Sequence, residues 1–150
     1  MEARFETFTV LINRISRNIR KIKNQEMEHY GLRSVHVSCL YYLYVEEGLT
    51  STDLCERCEE DKATVSRALV FLQEQGYLRV DSACTKRYKS PLLLTERGKE
   101  VGKTVAEKVA KVLDAVSGCL TEEERISFYR SLAVISEELE ALSKKEKNEA

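Results

Sequence analysis

Apolar side chains recur every three or four residues through most of the chain, and this spacing is typical of amphipathic α-helices. The first series has intervals of 3, 4, 3, 4 and 3 and consists of Phe5, Phe8, Ile12, Ile15, Ile19 and Ile22. One Pro and six Gly in 150 residues leave few points at which helices must stop. The chain is therefore expected to be mainly α-helical.

Glycines and capping residues divide this helical pattern into six segments. We expect helices over residues 5–30, 34–48, 52–58, 61–76, 96–118 and 121–143. Thr50 with Asp53 and Thr121 with Glu124 have the spacing of helix N-terminal capping pairs. The charged tail at 144–150 is expected to fray.

Two short apolar runs interrupt the helices and predict β-strands at 77–80 and 90–94. The residues between them are polar and basic, which indicates a hairpin with a protruding tip. The order helix, short helix, helix and two-stranded hairpin predicts a winged helix-turn-helix with a two-stranded β wing. The winged-helix lobe would cover 34–95, followed by a long connecting helix at 96–118.

The second helix of such a turn enters the DNA major groove by its N-terminal end. In this chain that end follows Asp61, and Val65 and Leu69 are expected to hold the helix on the core. Small residues, hydroxyls and an Arg capable of bidentate bonding to guanine suit an outward reading surface. The candidate DNA-binding residues of this helix and its turn are Thr50, Ser51, Thr52, Lys62, Ala63, Thr64, Ser66 and Arg67.

The predicted wing carries a second basic cluster, formed by Lys86, Arg87 and Lys89. Arg and Lys at a wing tip favour the negative potential of a narrow minor groove. The net charge of the whole chain is only −1. DNA binding would therefore depend on where the charge lies, because phosphate contacts need only a local basic surface.

Residues 61–78, DKATVSRALVFLQEQGYL, resemble the recognition helix and following Gly-aromatic pair of the MarR family. The end of the predicted wing, LLLTERG at 92–98, is similar to the family's Leu-Thr-x-x-Gly junction. The flanking helices match as well, so the resemblance covers nearly the whole chain. It implies one MarR-type domain over 1–150 and a transcriptional regulator that binds double-stranded DNA.

The family's fold implies a homodimer joined by its first and last helices, here 5–30 and 121–143. Two-fold symmetry in turn implies a palindromic operator. Repression is the family default, and release by a small ligand or an oxidant is common among its members. Family wings usually have an Asp before two basic residues, where this chain has Thr85 or Lys86; we still predict that Arg87 enters the groove.

The resemblance also implies an effector pocket between the dimerisation helices and the DNA-binding lobe. Its candidate lining residues are Ile15, Tyr30, His36, Cys39 and Tyr42. Each of these residues is also compatible with plain packing.

Five cysteines, an odd number, argue against a disulfide framework. Cys55 and Cys58 form a lone C-x-x-C, with Cys58 expected to face the core and Cys55 to face outward. Cys84 lies beside the wing cations, which favour a reactive thiolate, so it is the candidate redox residue. Two histidines do not complete a zinc set, and we expect no metal or other cofactor.

Other classes of protein are less compatible with the sequence. It contains no Gly-rich phosphate loop and no catalytic Ser or zinc motif, so we do not expect an enzyme. It has no apolar run that would span a membrane and no apolar signal core at its start, so we expect a cytoplasmic location. The alternative that stays open is a winged-helix interaction module without DNA binding. Residues 50–95 contain seven basic and seven acidic side chains, which favours this alternative slightly.

Overall fold

The computed structural model describes residues 4–80 and 90–148 of the chain. The helices are α1 (Arg4–Glu26), α2 (Ser34–Val45), α3 (Ser51–Cys58), α4 (Lys62–Glu74), α5 (Glu96–Ser117) and α6 (Glu122–Asn148). Two strands, β1 (Leu78–Val80) and β2 (Leu92–Leu94), pair in antiparallel register with Leu78 opposite Leu94. The expected mainly helical winged helix-turn-helix is confirmed. The chain divides into two compact units, Met1–Val109 and Ala110–Ala150, with the boundary inside α5.

The core of the first unit lies where α2, α3 and α4 meet. Leu40, Leu54, Val65 and Leu72 are all completely buried there. Each helix contributes the apolar side that its sequence spacing predicts, and this common core fixes the position of α4 on the lobe. Tyr77, at the entry to β1, is 1% exposed and extends the core toward the strands.

The helix α4 ends in a left-handed turn at Gly76, whose φ is +76°. The Tyr77 N–H donates to the Leu72 carbonyl at 2.9 Å, and the Gly76 N–H donates to the Gln73 carbonyl at 3.0 Å. This pair of bonds is a Schellman-type C-cap, which favours glycine because the left-handed conformation disfavours a Cβ. The cap turns the chain directly into β1.

The base of the hairpin is closed by Thr95, the residue before α5. Its hydroxyl donates to the Gly76 carbonyl at 2.6 Å and accepts from the Gly98 N–H at 3.0 Å. Its backbone N–H donates to the Tyr77 carbonyl at 3.1 Å. One side chain thus joins the C-terminus of α4 to the start of α5.

Two helix ends differ from the sequence prediction. A short 3-10 helix at Glu28–Tyr30 follows α1, whereas the spacing predicted one helix to residue 30. Met27 is 1% exposed and its carbonyl accepts from the N–H groups of Tyr30 and Leu32, so the chain tightens around a buried side chain. The helix α6 continues to Asn148, where fraying from residue 144 was expected. An ion pair between Lys144 and Glu140, one helical turn apart, supports this extension.

In the second unit, Thr121 begins α6 as predicted. The Thr121 N–H donates to the Glu124 carboxylate at 2.8 Å, and the Glu124 N–H donates to the Thr121 hydroxyl at 3.3 Å. Large apolar residues of α6 remain exposed, namely Ile126, Phe128, Tyr129, Val134, Ile135, Leu139 and Leu142. No helix in the described parts of the chain combines the length and the apolar character that a membrane crossing requires.

Candidate nucleic-acid interface

The first helix of the turn, α3, begins with a complete capping box. The Asp53 N–H donates to the Thr50 hydroxyl at 3.3 Å, while the Thr50 N–H and hydroxyl both donate to the Asp53 carboxylate at 2.7 Å. These bonds hold the pKa of Asp53 below its usual range, because they stabilise the charged carboxylate. Thr50 and Ser51 are half-buried and Thr52 is exposed.

The turn between α3 and α4 has a left-handed residue, Glu59, with a φ of +52°. The Glu60 N–H donates to the Cys55 carbonyl at 3.2 Å. This arrangement reverses the chain within three residues, so that α4 starts at Lys62.

Asp61 caps α4 and organises its exposed N-terminal face. The Thr64 N–H and the Thr64 hydroxyl each donate to the Asp61 carboxylate at 2.8 Å. Arg67 in turn donates to the Thr64 hydroxyl at 3.3 Å. The bonds from Thr64 lower the pKa of Asp61, so the carboxylate is charged and lies beside the Arg67 guanidinium.

The helix α4 presents a polar face above a buried one. Val65 and Ala68 are buried, while Lys62, Ala63, Ser66 and Arg67 are exposed, as the sequence predicts for a reading surface. Thr64 is half-buried and its hydroxyl is engaged within the chain. The first two turns of α4 therefore expose two cations, one small residue and one hydroxyl, on a helix whose other side is buried in the core.

The predicted wing residues Lys86, Arg87 and Lys89 and the candidate redox residue Cys84 lie outside the described residues. The stem of the wing is described. The Leu92 N–H donates to the Leu49 carbonyl at 2.9 Å, which joins β2 to the segment before α3. The stem is thus tied to the helix-turn-helix on both sides.

The candidate pocket residues differ in their burial and in their neighbours. Ile15 is 48% exposed on α1, whereas Cys39 is completely buried on α2. Tyr30 packs its ring against His29, with 4.0 Å between centroids, and Tyr42 contacts Tyr41 edge-on. Among the described residues, no group of three or more His, Cys, Asp or Glu side chains is arranged to hold a metal ion.

His36 instead lines an open cleft of about 430 Å³ beside α4. The other lining residues are Gly31, Arg33, Val35, Thr64, Arg67, Ala68 and Phe71. The His36 ring stacks on Phe71 at 4.3 Å between centroids, and its Nδ1 accepts from the Arg33 N–H at 3.0 Å. Sequence spacing missed Arg33 and Phe71, because Arg33 precedes α2 whereas Phe71 lies on α4.

The environment of His36 predicts a pH-dependent stability. Burial, followed by the charge of Arg33, lowers the pKa of His36 from 6.5. At pH values between 6.5 and the lowered pKa, His36 binds more protons in the unfolded chain than in the folded chain. The contribution of His36 to the free energy of unfolding is therefore complete above pH 6.5. It is lost as the pH falls toward the pKa of His36 in the folded chain.

We expect His36→Gln to reduce the fall in melting temperature between pH 7.5 and pH 5.5, measured by circular dichroism. His29→Gln, which removes the other histidine of the chain, is the matched control and should keep the wild-type difference. An equal fall in wild type and His36→Gln would contradict this assignment.

Comparison with known proteins agrees with this geometry. The model of the MarR family matches residues 30–87. An uncharacterized HTH-type transcriptional regulator of Bacillus subtilis (strain 168), YwoH, is 26% identical over 117 residues, covering 78% of this chain and 85% of that protein. This relative is described as a transcriptional regulator.

Solved structures show the same fold. A MarR family regulator from Neisseria meningitidis has a TM-score of 0.81 at 22% identity and covers 95% of this chain and 97% of its own. The MepR–DNA complex of S. aureus has a TM-score of 0.79 at 20% identity, with 88% and 97% covered. Residues 30–87 thus match the model of the MarR family, and nearly the whole chain shares the fold of MarR family regulators.

Proposed function

We propose that this protein is a sequence-specific DNA-binding transcriptional regulator that represses by occupying a palindromic operator as a homodimer. The observation that carries the proposal is the first part of α4. Lys62, Ala63, Ser66 and Arg67 are exposed there, on a helix held by buried Val65 and by the Asp61 cap. This arrangement suits insertion of a helix N-terminus into the major groove. The similar fold of MepR, solved as a DNA complex, supports it.

The homodimer is supported by apolar surface on α1 and on α6, considered separately. Val10, Ile15 and Ile19 of α1 are between 47% and 52% exposed. Leu139 and Leu142 of α6 are 53% and 57% exposed. Large exposed apolar patches are uncommon on monomers and indicate a protein interface. The two chains of the homodimer would contact each other through the two predicted dimerisation helices.

The cleft between α2 and α4 is a candidate site for a small effector. A planar anionic ligand would find the Phe71 and His36 rings and the Arg33 and Arg67 side chains there. Because Arg67 also belongs to the proposed DNA surface, ligand and operator would compete. Release from the operator by a ligand is part of the proposal.

The test is selection of random duplex DNA by the purified full chain, followed by fluorescence anisotropy of the enriched duplex over a salt series. A palindromic sequence, bound with an affinity that falls steeply as salt rises, is the expected result. The mass of the complex should correspond to two chains per duplex. A dimer that enriches no sequence, under reductant and after refolding to remove bound ligand, would contradict DNA binding.

A second function is favoured by the charge balance of the lobe. Asp61 lies directly beside the reading surface, and residues 50–95 contain equal numbers of acids and bases. Such a lobe suits an interaction module that binds protein instead of DNA. A stable dimer without salt-sensitive DNA binding would support this alternative.

The wing provides a separate prediction from the sequence. We expect Arg87→Ala to weaken binding of the selected duplex and to reduce the slope of log affinity against log salt by about one unit, because one phosphate-neutralising or groove-entering cation is lost. Anisotropy at four or more salt concentrations measures this slope. Lys111→Ala, on the exposed part of α5, is the charge-matched control. An unaltered slope for Arg87→Ala would count against a wing contact.

A further inference from the structure

One aliphatic side chain lies on the exposed face of α4, although the other large apolar residues of this helix pack in or against the core. Val65 and Leu72 are 0% exposed, whereas Val70 is 49% exposed. Val70 lies inside the regular part of α4, which continues to Glu74. Its exposure therefore does not come from the end of the helix.

Neither solvation nor helix propensity favours a valine at this position. An exposed aliphatic side chain gains nothing from burial, and a β-branched side chain loses rotamer freedom in a helix. Polar residues occupy neighbouring exposed positions of α4, namely Ser66, Gln73 and Glu74. The helix itself thus gives no reason for an exposed Val70.

Val70 continues the proposed reading surface by one helical turn. Four exposed residues of α4 have the spacing i, i+3, i+4 and i+7, namely Ala63, Ser66, Arg67 and Val70. This spacing places them along one side of the helix. A recognition helix that lies along the major groove contacts bases with side chains at the same spacing. Glu74 is exposed one turn later, and an acidic side chain is unfavourable beside DNA phosphates, so the reading surface ends with Val70.

The major groove offers one kind of apolar group, the C5-methyl of thymine. Guanine, cytosine and adenine present only hydrogen-bond donors and acceptors there. An isopropyl side chain that faced such a group would take it from water without pairing it, which costs free energy. Packing against a thymine methyl instead removes apolar surface of both groups from water. The chemistry of a valine at this place therefore matches thymine and no other base.

We propose that Val70 is a specificity-determining residue that packs against the C5-methyl group of one thymine in each half-site of the operator. This inference rests on the proposed DNA-binding function and deepens it, because it names a base that the operator must contain. Val70 follows Arg67 by three residues, or about 4.5 Å along the helix axis. Successive base pairs are about 3.4 Å apart, so we expect the thymine within about two base pairs of the base that Arg67 contacts.

The test compares thymine with deoxyuridine, which forms the same base pair but lacks the C5-methyl group. Each thymine of the selected palindromic duplex is replaced in turn, in both half-sites together, and fluorescence anisotropy measures the affinity of the full chain. At one position we expect the affinity to fall by about fourfold for each half-site, the factor that burial of one methyl group provides.

Val70→Ala shows whether Val70 makes this contact. The variant should bind the original duplex more weakly than wild type does, and the loss caused by deoxyuridine at that position should disappear, since a double-mutant cycle couples only groups that interact. Val70 is exposed and alanine favours helix more than valine, so the variant should fold with an undiminished melting temperature. Val45→Ala is the matched control, because Val45 is 52% exposed at the end of α2, outside the reading surface. It should keep the wild-type loss with deoxyuridine.

Two results would overturn the assignment of Val70 while the DNA-binding function remained. One is an equal loss with deoxyuridine in wild type and Val70→Ala, because another residue would then contact the methyl group. The other is a selected duplex in which every thymine can be replaced without loss of affinity. If the chain enriches no duplex at all, the DNA-binding function itself fails and the thymine contact fails with it.

Discussion

Gly98→Ala is expected to lower the free energy of unfolding by about 3 kcal/mol, the upper end of the usual range for overpacking. A Cβ built at Gly98 would lie 2.0 Å from the Tyr77 carbonyl oxygen and 2.9 Å from the Tyr77 carbonyl carbon. Those atoms belong to backbone that accepts from the Thr95 N–H, so they cannot move away without breaking the base of the hairpin. Tyr77 itself is buried and cannot shift alone.

Urea unfolding followed by circular dichroism, at a fixed protein concentration, measures this effect. Gly118→Ala is the matched control, because a Cβ there meets its nearest atom at 3.4 Å and the backbone is not left-handed. We expect the control to change the free energy of unfolding by less than about 1 kcal/mol. A Gly98→Ala variant as stable as that control would show that α5 does not approach β1 so closely.

Arg67→Ala is expected to weaken binding of the selected duplex by about 1–3 kcal/mol, the range for a good side-chain contact to a base. Arg67 is exposed, and its hydrogen bond to Thr64 orients it on the N-terminal part of α4. The bond is exposed and long at 3.3 Å, so little is lost when DNA replaces it. The variant should also bind more evenly across sequences that differ at one base pair.

Anisotropy with the selected duplex and its single-position variants measures both effects. Arg130→Ala is the control, since it removes the same charge from an exposed site on α6, outside the predicted winged-helix lobe. We expect its affinity and sequence preference to match those of wild type. If Arg67→Ala bound the duplex with unchanged affinity, the prediction that Arg67 contacts a base would be wrong. A phosphate contact from Lys62 would remain compatible with that result.

Short-range features of the chain were predictable because their partners lie three or four residues apart. The pairs Thr50–Asp53 and Thr121–Glu124 form the expected caps. The buried side of α4 follows its spacing, with Val65 and Leu72 at 0% exposure. The helix end near Met27 was mispredicted, since the chain there tightens around a side chain whose burial depends on the rest of the lobe.

The candidate site residues also divide into those whose position local sequence predicted and those whose position it did not. The exposure of Lys62, Ser66 and Arg67 could be predicted from helical periodicity alone. The effector residues were selected by resemblance, and the structure distributes them over separate environments, from exposed Ile15 to buried Cys39. Their DNA- and ligand-binding roles stay predictions until the binding experiments are made.

The sequence by itself determined which segments are helices, where most of them begin, and which side of α4 faces outward, because these depend on local hydrogen bonds and a fixed helical period. Only the tertiary structure decided that His36 stacks on Phe71 and that Gly98 lies against Tyr77. Each of these pairs joins two different elements. Such contacts depend on how the elements pack across the shared core, and neither local sequence contains that geometry.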